Sequence, residues 1–132
     1  MKYLLDTHIL LWWRYDDTKL SDSIKRMISL EESVIFISFA SIWELEIKTN
    51  LGKLPLLGED TIESMIQDEV NQNAFHLLPI KKNHLFALKM LENHHRDPFD
   101  RMLIIQAQTE QLTLITDDTN IHRYNVPILK NK

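Results

Sequence analysis

Apolar residues recur along this chain in two alternating rhythms, short solid runs and longer stretches with helical spacing. Lys2–Leu5, Val34–Ile37, Leu112–Thr116 and Pro127–Leu129 read as strands, with His76–Pro79 a further candidate. Between them, Ile62, Met65, Ile66 and Val70 fall at i, i+3, i+4 and i+8, an apolar stripe along one helix. Leu85, Leu88 and Leu91 mark another. Pro98 to Glu110 forms a third, apolar on most sides (Met102, Leu103, Ile104, Ile105, Ala107), as expected of a helix packed between other elements. Short, wholly apolar strands alternating with helices predict an α/β fold of three layers, a central and mainly parallel sheet flanked by helices. In such folds functional groups gather beyond the carboxyl ends of the strands.

Acids stand at two of those ends. Asp6 follows the first strand, and Asp117 and Asp118 follow Leu112–Thr116. A single Asp at a strand-to-helix junction is commonly a helix cap; the coincidence at two ends says more. Glu44 lies in Ser41-Ile42-Trp43-Glu44, which matches a capping box at a helix start, and it also stands four residues before Lys48, the spacing of an ion pair. Asp97-Pro98-Phe99-Asp100 places Asp97 at an N-cap with proline in the first helical position. Asp100 then shares a face with Leu103, Ile104 and Ala107, so its carboxylate is aimed at the buried side and needs a partner. The helix N-terminus offers part of one, up to ~2 kcal/mol, and a cation would complete it.

If these acids converge, each pair about 4 Å apart repels by roughly 4 kcal/mol at an effective dielectric near 20. Either some are protonated or a divalent ion holds them together. Oxygen donors favour Mg²⁺ or Mn²⁺ over zinc. Such an ion can activate a water and stabilise charge on a phosphoryl oxygen, which points to phosphodiester hydrolysis.

Composition narrows the class. A chain of 132 residues fits one domain, and 44% hydrophobic with 26% charged residues is a globular balance. The absence of cysteine excludes disulfides, thiol nucleophiles and thiolate metal sites. A net charge of −4 argues against a protein that coats nucleic acid, though not against an enzyme that grips a few phosphates. The N-terminal apolar stretch is broken by Asp6 and His8 and lacks a small-residue cleavage site, so it does not read as a signal peptide. No run approaches the roughly 18 apolar residues of a membrane span, and a cytoplasmic protein without a membrane partner is expected. The only glycines, Gly52 and Gly58, sit near Pro55 in the one evident loop.

The segments DTHILLW (6–12), SFASIWE (38–44), HHRDPFDRMLIIQA (94–107) and LITDD (114–118) resemble the successive blocks of PIN-domain proteins, closest to the VapC-type toxins. The blocks come in the family's order over nearly the whole chain. The resemblance implies a single PIN-like domain over 1–132 and an RNA endonuclease with one or two Mg²⁺ or Mn²⁺. Its four acids correspond to Asp6, Glu44, Asp100 and Asp118. Thr7 and Ser38 resemble the hydroxyl residues that accompany those acids, and Thr116 is the Thr of the T-x-D block, with Asp117 in its variable position. Either Asp117 or Asp118 could face the metal. Asp97 resembles a helper acid of the branch and reads first as the helix cap. Gln111 stands where relatives have a glycine closing the helix. The resemblance also implies a protein antitoxin that blocks the site with a basic side chain, and a homodimer.

His94 and His95 read as a helix-terminal pair interacting with the dipole rather than as ligands. Of Trp12 and Trp13, one is expected in the core and the other at a stacking or interface surface. Arg96, Arg101 and Arg123 are candidate phosphate contacts, with solvated or ion-paired roles equally open. Lys81-Lys82 reads as a surface feature at a helix start. Two rival readings remain: a catalytically silent RNA-binding or regulatory PIN module, and a phospho-accepting receiver domain, which expects paired acids after the first strand where only Asp6 is found.

Overall fold

β1 (Lys2–Leu5) is buried on both faces from Tyr3 to Leu5 because those three residues are apolar without alternation. Tyr3 and Leu5 enter one core cluster, with Ile9, Leu10, Ile37 and Met65; Leu4, between them, enters the other, with Leu103, Ile104 and Leu114. One strand thus divides two cores, and the three layers follow. The computed structural model describes residues 1–54 and 56–132; Pro55, the proline of the loop read from sequence, lies outside them.

The chain continues through α1 (Thr7–Arg14), α2 (Asp22–Ser29), β2 (Val34–Ser38), α3 (Phe39–Asn50), α4 (Ile62–Asn73), β3 (His76–Leu78), α5 (Lys82–Ala87), α6 (Pro98–Glu110), β4 (Thr113–Thr116) and β5 (Ile128–Lys130). The strands form one sheet in the order β3-β2-β1-β4-β5, and every pairing is parallel. The chain moves outward from β1 to β2 and β3, then returns to β4 on the other side of β1. That reversal opens a crevice at the carboxyl ends of β1, β2 and β4. No helix among the described residues is long and apolar enough to cross a membrane.

Several elements differ from the sequence reading. The helix marked by Leu85, Leu88 and Leu91 is split into α5 and a 3₁₀ turn at Leu88–Met90. α2, capped by Ser21, is a helix outside those expected from apolar spacing. α3 begins at Phe39, where the Ser38 hydroxyl accepts the Ala40 N–H, so the capping box at Ser41 is not formed and Glu44 lies in the second turn. The cap at Asp97 is as read: its carboxylate accepts the N–H groups of Phe99 and Asp100, with Pro98 opening α6. Gln111 closes α6 in the left-handed region at φ 58°, where a non-glycine residue carries modest strain. Lys81 and Lys82 do stand at the start of α5.

Trp12 and Trp13 both pack partly against the first core. The Trp13 indole donates to Glu69 (2.8 Å), a buried acid that also pairs with Arg14 (3.3 Å). Arg14 reaches Asp60 and Asp68 as well, so the far end of α1 is tied to α4 and the near end, at Thr7, is held in register.

Candidate active site

Asp6 caps the start of α1 at the carboxyl end of β1, and only 4% of its surface is exposed. Its Oδ1 accepts the Thr7 N–H and its Oδ2 accepts the Thr116 hydroxyl from the end of β4, both at 2.6 Å. Burial pushes its pKa up; the bonds from Thr116 and Thr7 act against that, and the charge of Glu44 adds to it. Glu44 arrives from α3, also buried. It accepts the Thr7 hydroxyl at 2.7 Å and the Lys48 ammonium at 2.8 Å. Thr7 therefore bridges two acids, donating its backbone to one and its side chain to the other. Ser41, expected to cap a helix, instead lies buried 3.1 Å from the Thr7 hydroxyl.

Asp100 comes from the first turn of α6. Desolvation, then the charges of Asp6, Asp97 and Glu44, push its pKa up to about 7 even though a bond from His95 pulls the other way. A carboxylate near α6's positive end would ordinarily titrate low; here burial among like charges wins. Asp118 follows β4. Its N–H donates to the Thr116 hydroxyl (3.0 Å), and its Oδ2 lies 3.7 Å from His95 Nε2, which is itself 2.7 Å from Asp100 Oδ2. Asp117 is exposed. Of this pair, Asp118 is the one that lies beside His95, whereas Asp117 turns outward.

Asp6, Glu44, Asp100 and Asp118 are thus linked through Thr7, Thr116 and His95 into one cluster at the crevice. In this donor set three carboxylates are buried, and among the described residues one lysine, Lys48, pairs with them directly. Oxygen-rich, negatively charged and short of cations, it suits a divalent metal.

The PIN domain family model matches residues 3–127, from the second residue of β1 to the residue before β5. The chain belongs to the PIN-domain family. Its fold is similar to that of a chain in the crystal structure of VapBC2 from Rickettsia felis bound to a DNA fragment from its promoter (TM-score 0.75, 14% identity, 100% of each chain). It is also similar to DNA-bound VapBC from Salmonella typhimurium (TM-score 0.76, 15% identity, 100% of this chain and 99% of that one). VapBC-1 from nontypeable Haemophilus influenzae follows at TM-score 0.66 and 17% identity over 98% of each chain. Comparison with curated protein sequences returned no match.

Three side chains of this PIN domain hold positions that the sequence reading did not anticipate. His94 and His95 are not helix-terminal; they lie in the irregular segment 91–97, where His94 packs edge-on against Tyr124 and His95 faces the acids. Arg101, a candidate phosphate contact with solvated or ion-paired roles equally open, is half-buried. Its guanidinium donates to the carbonyls of Leu88, Leu91, Glu92 and His95 and to the Tyr124 hydroxyl, so it braces that segment.

A buried polar chain crosses the second core. The Ser38 hydroxyl donates to the Gln106 carboxamide oxygen, whose nitrogen donates to the Pro79 carbonyl (3.2 Å) and approaches His84 Nδ1 (3.5 Å). His84 Nδ1 accepts the Lys81 N–H, which leaves Nε2 to donate to Glu110 at 2.8 Å. Gln106 is fully buried in an otherwise apolar stretch of α6, and that oddity was the available signal. The chain ties α3, which carries Glu44, to α6, which carries Asp100. Gln106→Leu removes the acceptor of the Ser38 hydroxyl proton and the donor to the Pro79 carbonyl. It is expected to destabilise the protein by about 1–3 kcal/mol, read as a lower urea midpoint with an unchanged slope.

Proposed function

We propose that this PIN domain is a divalent-metal-dependent ribonuclease, the toxin of a toxin–antitoxin pair. The observation that carries the reading is the convergence of buried Asp6, Glu44 and Asp100, with Asp118 beside them, at one strand-end crevice. One or two Mg²⁺ or Mn²⁺ held by these four acids would supply Lewis acidity toward a phosphodiester. Thr7 and Thr116 keep the carboxylates turned inward, since each hydroxyl is spent on an acid oxygen. Ser38 supports the start of α3, and Asp97 that of α6. A polar groove of about 480 Å³ lined by Asn93, His95, Arg96 and Arg101 shares His95 with the cluster. Exposed Arg96 there offers a phosphate contact.

The antitoxin partner is inferred from the VapBC complexes, whose fold this chain shares. A basic side chain entering the acid cluster would satisfy the same charge deficit as a cation. The homodimer has its own support. Phe39, Trp43 and Ile47 of α3 and Leu51 at its C-cap recur every four residues and remain exposed, with Trp43 edge-on to Phe99 at 5.2 Å. A run of large exposed apolar groups on one helix marks an interaction surface. Trp43→Glu is expected to shift the protein from dimer to monomer in light scattering while leaving its circular dichroism unchanged.

Incubating the protein with an RNA pool and Mn²⁺, with and without a chelator, tests the activity. Metal-dependent fragments are expected. Binding without cutting, in either Mg²⁺ or Mn²⁺, would instead support the silent RNA-binding module.

A further inference from the structure

We infer that His95 is a nitrogen ligand of the cation held by the acids, which makes the site selective for transition ions over Mg²⁺. The inference rests on the metal-dependent reading above and adds a donor to it. His95 Nε2 faces two acids from different elements, Asp100 of α6 at 2.7 Å and Asp118 after β4 at 3.7 Å. Ligand atoms of His95, Asp97 and Asp100 all lie within 4.8 Å of one another. A nitrogen in that position borders the same gap that a cation shared by Asp100 and Asp118 must fill.

The second observation is the way the imidazole is mounted. Segment 91–97 has no regular structure of its own, so its backbone geometry must be imposed from outside. Arg101 imposes it, with one guanidinium shared among the carbonyls of Leu88, Leu91, Glu92 and His95. The Tyr124 hydroxyl accepts the His94 N–H at 3.0 Å. Arg101 directly follows Asp100 on α6, so the turn that carries the acid also holds the loop that carries the imidazole. A histidine needed only for solubility would not require this bracing. Ligand spacing held by outer contacts is what a metal site needs.

Imidazole nitrogen is a poor donor for Mg²⁺, which binds through oxygen and retains its waters, and a better one for transition ions. Replacing it should therefore affect the two classes unequally.

The full-length chain loaded with Mn²⁺ and studied by pulsed electron paramagnetic resonance provides the test. Coupling to a coordinated ¹⁴N nucleus is expected in the unaltered protein and in His8→Asn, and is expected to vanish in His95→Asn. Asparagine keeps an N–H for Asp100 but removes the imidazole nitrogen, so a purely positioning role would survive the change. Mn²⁺ affinity of His95→Asn should fall on the order of tenfold, with Mg²⁺ affinity, measured by competition, changing about twofold or less. Bound Mn²⁺ without nitrogen coupling in the unaltered protein overturns the ligand role and leaves the four-acid site intact. A chain that binds no Mn²⁺ at all removes both. The spectrum of the unaltered protein decides the matter even if the variant folds poorly.

Discussion

Asp6→Asn is expected to lower RNA cleavage on the order of 10³-fold, equivalent to about 4 kcal/mol of lost transition-state stabilisation, without unfolding the protein. Asparagine fits the site. Its carbonyl oxygen can still accept the Thr7 N–H, and its amide can donate to Thr116, whose hydroxyl now donates to Asp6 Oδ2 and accepts the Asp118 N–H. What disappears is a formal charge at the centre of the cluster. Loss of cleavage with an unchanged near-ultraviolet dichroism spectrum would separate catalysis from folding. Cutting at the original rate would remove Asp6 from the mechanism, and with it the anchor of the four-acid proposal.

The second large effect is in stability and runs opposite to most core substitutions. Asp100→Asn is expected to make the metal-free protein more stable at pH 8, by roughly 2–4 kcal/mol, or a melting temperature roughly 7–14 °C higher. Burial and the charges of Asp6, Asp97 and Glu44 raise the Asp100 pKa from 3.8 to about 7. The folded state therefore holds this proton more tightly than the unfolded chain does. The resulting stability is fully present below pH 3.8 and is lost as pH rises through about 7. Above that, the ionised carboxylate is a liability unless a cation or the His95 bond offsets it. Metal-free protein should accordingly lose stability between pH 4 and pH 7, and Asp100→Asn should flatten that slope. Mg²⁺ or Mn²⁺ should raise the melting temperature of the unaltered protein at pH 8 and change the variant little. A variant that melts lower than the parent at pH 8 would show that the Asp100–His95 bond outweighs the repulsion.

These effects trace back to features of very different legibility. The solid apolar runs of β1, β2 and β4 can be buried on both faces only within a covered parallel sheet, so the chain's own pattern specified the layers. Sequence also specified the cap at Asp97-Pro98, because a cap is a local bargain between a side chain and the next few N–H groups. The placing of acids at strand ends followed from the same local rhythm. Periodicity says which side of an element is apolar; it does not say which other element will face it. That is why the ion pair of Glu44 with Lys48, four residues on, was legible and its hydroxyl partner was not. The capping box looked complete within four residues, but the acid's hydroxyl donor, Thr7, lies 37 residues away across the sheet's crevice.

Tertiary structure decided the remainder for the same reason. Asp117 and Asp118 stand side by side in sequence, and the folded chain leaves Asp117 exposed while the Asp118 N–H bonds to Thr116. Segment 91–97 has no repeat of its own from which a direction could be read, so nothing local indicated that Arg101 would brace it or that His95 would face Asp100. Gln106 announced a buried polar need, and the identity of its partners depended on β2 and α5 arriving beside α6. Short-range hydrogen bonds and hydrophobic rhythm are written along the chain, whereas the meeting of charges from distant segments exists only once the two cores have closed around β1.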